Sequence, residues 1–207
     1  MDTAQLAAIT SDRRVRRTFA FLDLCGFTDF VDEHGDDGGL RELQRLRATV
    51  REVAPLFGVR VEKWLGDGVM LVGVDPEPLV GASLAITQRH SRNGALELRG
   101  GIACGDVILL EGDDYVGRSV NLASRLCDTA DAGQLLAATD GLELPEWVAT
   151  SELEAVVVNG LADAVPVVAL SADTSILRRK ARTRSANALL TVVESITRPI
   201  RPRAQAG

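Results

Sequence analysis

The chain has 207 residues, 46% hydrophobic and 25% charged, with a net charge of −6, enough for one folded unit with a sizeable core. Of its 23 Lys and Arg and 29 Asp and Glu, eight basic and two acidic residues lie from residue 171 onward, which leaves 15 basic against 27 acidic in the first 170. Phosphate contacts supply most non-specific affinity for nucleic acid, so the acidic body is a poor binder of it, while the basic end could touch nucleic acid, an anionic lipid surface or the body itself; no apolar run is long enough to insert stably in a membrane.

Cys25, Cys104 and Cys127 are odd in number and form no CxxC pair, which argues against a disulfide framework and a structural zinc site. The first residues, MDTAQLAAITSDRRVRRTF, carry no apolar segment followed by a small-residue cleavage site. Together these features place the chain in the cytoplasm as an expectation. The sequence divides into an N-terminal arm over residues 1–16, one domain over 17–170, and a basic tail over 171–207 that reads as a solvated, partly helical or disordered end.

In chain order, RTFAFLDL (17–24) reads as a buried strand that stops at Cys25-Gly26. A helix follows from Thr28 to about Phe57, interrupted by HGDDGG, with Leu40, Leu43, Leu46, Val50 and Val53 on one face. Residues 59–65 and 69–74 flank Asp67-Gly68 as a hairpin. A second helix spans 76–91. Residues 96–103 and 107–110 read as a strand pair turning at Cys104-Gly105-Asp106, and 119–130 as a third helix. Short strands are expected at 134–138, 153–158 and 165–170. Tight turns between neighbouring strands call for a largely antiparallel or mixed sheet rather than a doubly wound one. His34 and His90, the only histidines, are expected at the surface.

Two carboxylates stand out. Asp23 ends a strand that is otherwise core, where an ionised group needs a partner or a metal, and Asp67 sits in a Gly-Asp-Gly turn. Each alone has an ordinary explanation, a helix cap for Asp23 and turn chemistry for Asp67. If the strand carrying Asp23 pairs with the hairpin, both reach one place. Two such charges about 4 Å apart repel by roughly 4 kcal/mol at an effective dielectric of 20, and a divalent cation relieves that repulsion. Beside them Gly26, Phe27 and Thr28 present backbone N–H groups at a helix start, a seat for phosphate. Farther on, in DDYVGRSVNLASRL, Asn121 and Arg125 stand four apart on one helical face, where an amide and a guanidinium can address a sugar and a phosphate together.

The ordered motifs FAFLDLCGFTDF, EKWLGDGVML, GGIACGDVIL and GDDYVGRSVNLASRL resemble the successive signatures of class III adenylyl and guanylyl cyclase catalytic domains, over roughly residues 17–170. The resemblance implies an α+β, ferredoxin-like (palm-type) sandwich with a mostly antiparallel sheet and flanking helices. It implies that Asp23, Asp67 and the carbonyl of Leu24 hold two Mg²⁺ or Mn²⁺ ions per site. Lys63 and Asp114 then read the purine, Asn121 orients the ribose and Arg125 stabilises the reacting phosphate. It further implies a head-to-tail homodimer with two equivalent sites, metal ligands coming from one chain and the other four groups from its partner.

The expected reaction is conversion of ATP to 3′,5′-cyclic AMP and pyrophosphate. Lys63 can only donate and ionised Asp114 only accept, which suits N1 and the 6-amino group of adenine and mismatches guanine. Asp113 is one residue out of register, so Asp114 is preferred. A guanylyl cyclase and a catalytically weak nucleotide-binding regulatory module of the same fold are the alternatives, the second disfavoured because a module that only binds has no use for Asn121 and Arg125 together. No GG(D/E)EF-type turn, P-loop, GxGxxG or Ser/His/Asp set is present. One departure stands at Asn159, where the family often has a phosphate-binding lysine, and weaker triphosphate binding is the expectation.

Overall fold

RVRRTFAFLDL forms β1 (Arg14–Leu24), the strand around which the sheet is organised. A computed structural model describes residues 14–110, 114–153 and 165–173. β1 runs antiparallel to β3 (Gly68–Gly73) on one side and to β4 (Leu98–Leu109) on the other. Its side chains are covered on both faces, with Ala20 and Leu22 in one cluster and Phe19 in another, so it reads as a nearly continuous apolar run instead of an alternation.

β2 (Arg60–Leu65) closes a hairpin with β3 around Gly66 and Asp67. The loop sits one position earlier than the Asp67-Gly68 dipeptide suggests, and Gly66, at φ 66°, supplies the left-handed conformation such a turn favours. β6 (Leu135–Ala138) lies parallel to β4, β8 (Val167–Ala172) antiparallel to β6, and β7 (Val148–Glu152) antiparallel to β8. The order is β2-β3-β1-β4-β6-β8-β7, with the short β5 (Tyr115–Val116) also paired to β4. The α+β sandwich with a mostly antiparallel sheet and flanking helices is the architecture found.

Helices α1 (Phe27–Val53) and α2 (Pro76–Ser91) cover one face, burying Leu46, Val50, Leu79 and Ile86 against Leu22 and Leu71. Helix α3 (Arg118–Thr129) covers the other with Leu122 and Leu126. It sits so low on β4 that a Cβ on Gly101 would fall 2.2 Å from the carbonyl oxygen of Ala123. No helix among the described residues is long and apolar enough to cross a membrane.

Three expectations change. Cys104-Gly105-Asp106 is no turn: these residues pair with Thr18, Arg17 and Arg16 inside one continuous β4, because the complementary length of β1 extends back to Arg14. Leu40 is 53% exposed. The α1 backbone breaks at Gly35 (φ 72°), and the buried stripe runs through Gly39, Glu42, Leu46, Val50 and Val53. His90 is fully buried rather than at the surface, since α2 is wedged between the sheet and α1. The strand expected at 153–158 lies from 154 onward outside the described residues, and β7 takes 148–152.

Candidate active site

The antiparallel register sets Asp23 opposite Gly68, the residue after Asp67. A Cβ on Gly68 would stand 3.0 Å from Oδ1 of Asp23, so glycine there lets the Asp23 carboxylate lie along the hairpin turn. Leu24, the next residue, ends β1 and is buried. Gly26, at φ 70°, then turns the chain into α1 and provides no side-chain cap, leaving the first amides, Phe27 and Thr28 among them, without intrahelical partners. The start of α1 and the two carboxylates therefore share one end of the sheet.

Arg99, at the start of β4, points its guanidinium at the same carboxylate. Its Nε and Nη2 donate to Oδ2 of Asp23 at 3.2 and 2.9 Å, and its Nη1 donates to the Asp128 carbonyl at 3.2 Å. Burial pushes the Asp23 carboxyl above its usual value; the Arg99 hydrogen bond opposes the rise and the charge of Asp67 adds to it. Arg99 thus offsets the burial of Asp23 incompletely, and its guanidinium bonds Oδ2 of Asp23 rather than Oδ1. Such hard oxygen donors fit Mg²⁺ or Mn²⁺ when substrate phosphates complete the shell. Among the described residues no three His, Cys, Asp or Glu side chains cluster to hold a metal unaided. The neighbouring thiols are poor nucleophiles: burial raises Cys25 and pushes Cys127 up to about 12.

On α3, Asn121 and Arg125 are both exposed while Ser119, Leu122, Ala123 and Leu126 are buried. The i, i+4 pair therefore occupies one solvent-facing stripe, and among the described residues no hydrogen bond or ion pair joins it to Asp23, Asp67, Lys63 or Asp114. Lys63 and Asp114, 51 residues apart, do meet: Nζ lies 2.6 Å from Oδ1. Lys63 and the Tyr115 backbone N–H, 2.9 Å from the same oxygen, hold the Asp114 carboxyl below its ordinary value. Asp113 and Asn159 lie outside the described residues.

Arg99 escaped the sequence reading, although a guanidinium inside the apolar stretch LRGGIAC was a visible irregularity. So did a buried support behind it. Glu42, 1% exposed, accepts the N–H groups of Ala95 and Leu96 at 2.9 and 3.3 Å. It also meets Arg45 at 3.0 Å and His90 Nε2 at 3.2 Å. Burial holds His90 below its usual value against the pull of Glu42. Glu97, next along, gives its carbonyl to the Cys25 N–H at 2.9 Å, so this buried carboxylate steadies the segment leading to Arg99.

No protein-family profile matches the chain. Over 131 residues it is 38% identical to an uncharacterised protein of Mycobacterium tuberculosis, covering 62% of this chain and 34% of that one. Over 129 residues it is 35% identical to a pH-sensitive adenylate cyclase of the same species, covering 58% and 30%. The chain thus spans about a third of the length of the curated relatives it matches. The crystal structure of the adenylyl cyclase CyaB from P. aeruginosa superposes with a TM-score of 0.65 at 25% identity, over 76% of this chain and 94% of that one. Solved domains of this fold include guanylyl as well as adenylyl cyclases. In fold the chain is similar to adenylyl and guanylyl cyclase catalytic domains, and over part of its length its sequence is similar to that of an adenylate cyclase.

Proposed function

We propose that the chain is an adenylyl cyclase, cytoplasmic, converting ATP to 3′,5′-cyclic AMP and pyrophosphate at sites shared across a head-to-tail homodimer. The observation that carries this reading is the pairing of Asp23 with Gly68, which sets two carboxylates beside the open amides of α1. Two Mg²⁺ or Mn²⁺ ions held by Asp23, Asp67 and the Leu24 carbonyl would neutralise charge on the triphosphate and acidify the ribose 3′-hydroxyl.

The rest falls to the chain's own groups. The backbone N–H groups of Gly26, Phe27 and Thr28 donate to phosphate oxygens at the positive end of α1. Arg99 spends three of its five N–H donors on Asp23 and Asp128 and keeps two for a phosphate. Lys63 donates to N1 of adenine and Asp114 accepts from its 6-amino group. Asn121 orients the ribose so that its 3′-oxygen faces the α-phosphorus, in line with the departing pyrophosphate. Arg125 meets the charge that grows on the phosphate in the transition state, so its loss lowers turnover more than binding. The solvent-facing placement of Asn121 and Arg125 supports a site completed by a second copy.

The test is purified protein with ATP and Mn²⁺ or Mg²⁺, assayed for cyclic AMP. Asp23→Ala and Asn121→Ala chains, each nearly inactive alone, are then mixed. Recovery is expected, since a mixed dimer rebuilds one intact site. No recovery despite dimerisation would refute the shared site, and cyclic GMP formed from GTP in preference would refute the base assignment.

A further inference from the structure

Arg60 and Lys63 are three residues apart in β2, and in a regular strand they would point to opposite faces. They do not, because the β2–β3 register slips at Glu62: Arg60 pairs with Val72 and Lys63 with Met70, two positions apart on β3. Glu62 is the extra residue of a β-bulge, a device that re-aims side chains beside active sites. Both cations consequently share the face that carries Phe19, Met70, Val72 and Tyr115.

There each finds a partner in the segment at β5. Lys63 binds Asp114, and Arg60 Nη2 donates to the Tyr115 hydroxyl at 3.0 Å. Arg60 also pairs with Glu62, whose side chain is 5% exposed, and its guanidinium lies 5.9 Å from the Tyr115 ring centroid. The Tyr115 ring is buried and packs edge-on against Phe19 at 5.3 Å. Tyr115 also gives its backbone N–H to the Asp114 carboxylate. The Arg60–Tyr115 link is thus an anchored tie one residue from an exposed pair that must accept a base.

We propose that Glu62, Arg60 and Tyr115 are positioning residues for purine selection: the bulge aims Arg60 at Tyr115, and that tie fixes the Asp114 carboxylate opposite Lys63 at the separation adenine requires. This rests on the adenylyl reading above. Selectivity then depends on three residues that do not touch the base. The Arg60–Tyr115 tie remains when Lys63 and Asp114 exchange their mutual contact for adenine.

The test compares wild type with Tyr115→Phe, which keeps the buried ring, and with Arg60→Met and Arg60→Lys. Steady-state constants are measured with ATP and GTP, and the Asp114 carboxyl is titrated by ¹³C NMR. In Tyr115→Phe and Arg60→Met, KM for ATP is expected to rise and the ATP-to-GTP ratio of kcat/KM to fall, each by about fivefold, the worth of one hydrogen bond. The kcat for ATP should change less than about twofold. Arg60→Lys, which can still donate to the hydroxyl, should recover most of the ratio. The Asp114 titration should move toward its ordinary value in the two disruptive variants. An unchanged ratio and titration, or a fall in kcat that merely tracks lost thermal stability, overturns the tie. The titration needs no turnover, so it decides the positioning even if the wild type makes no cyclic nucleotide, the outcome that would sink the adenylyl reading instead.

Discussion

The two ends of the candidate site are satisfied to opposite degrees. At the carboxylate end, strand register brings Asp67 beside Asp23, Arg99 bonds to Asp23, and burial with the charge of Asp67 still leaves ionised Asp23 disfavoured. At the base end, Lys63 and Asp114 neutralise each other and ionised Asp114 is favoured. On the proposed function, the first end would gain when cations arrive. On the same reading the second would give up an ion pair to admit a purine, and since both partners are about half exposed, that pair is weak enough to exchange. A site working as proposed would couple affinity for the triphosphate to metal and leave the base to supply discrimination.

The contrast is sharpest in turnover. Asp67→Asn should lower kcat by about 100-fold or more, the scale of losing one charged group that acts on a transferring phosphoryl, with a smaller change in KM. A loss below about fivefold in steady-state assays with Mn²⁺ would mean that the carboxylates are not the metal end. Next in size is selectivity. Replacing both Lys63→Gln and Asp114→Asn gives two side chains that can each donate and accept. The ATP-to-GTP ratio of kcat/KM should then drop by about tenfold or more, and an unmoved ratio would break the comparison at its base end.

Stability effects are smaller and opposite in sign. Without divalent cations at neutral pH, Asp23→Asn should raise the thermal midpoint and Asp114→Asn lower it, each by about 2 °C. Acid titration separates the two further. The folded Asp23 value lies above 3.8, so its contribution to stability is fully present below 3.8 and is lost as pH rises through the elevated value. The folded Asp114 value lies below 3.8, so its contribution is present above 3.8 and is lost as pH falls through the depressed one. Calorimetry of the two Asn variants from about pH 3 to 7 should show their differences from wild type changing in opposite directions, and parallel curves would remove the distinction.

Much of this was legible in the chain. The apolar run ending at Asp23, the hairpin around Gly66 and Asp67, and the amphipathic spacing of Asn121 and Arg125 are local signals, carried by side-chain periodicity and turn chemistry. The misreadings share another cause. Cys104-Gly105-Asp106 looks like a turn because glycine beside aspartate usually is one, and only the full-length partner β1 keeps it extended. His90 looks like a surface residue because nothing adjacent in sequence announces Glu42, 48 positions earlier, as its buried partner.

The sequence by itself determined which residue types are available and their order along the chain, because propensity and periodicity act over a few neighbours. Tertiary structure alone decided that Arg99 restrains Asp23, that Glu62 is a bulge placing Arg60 and Lys63 on one face, and that Tyr115 ties the segment carrying Asp114 to β2. Each depends on register between strands distant in sequence. A slip of one residue reverses every side chain's face without changing the pattern along the strand, so that choice is made by packing both sheet faces at once.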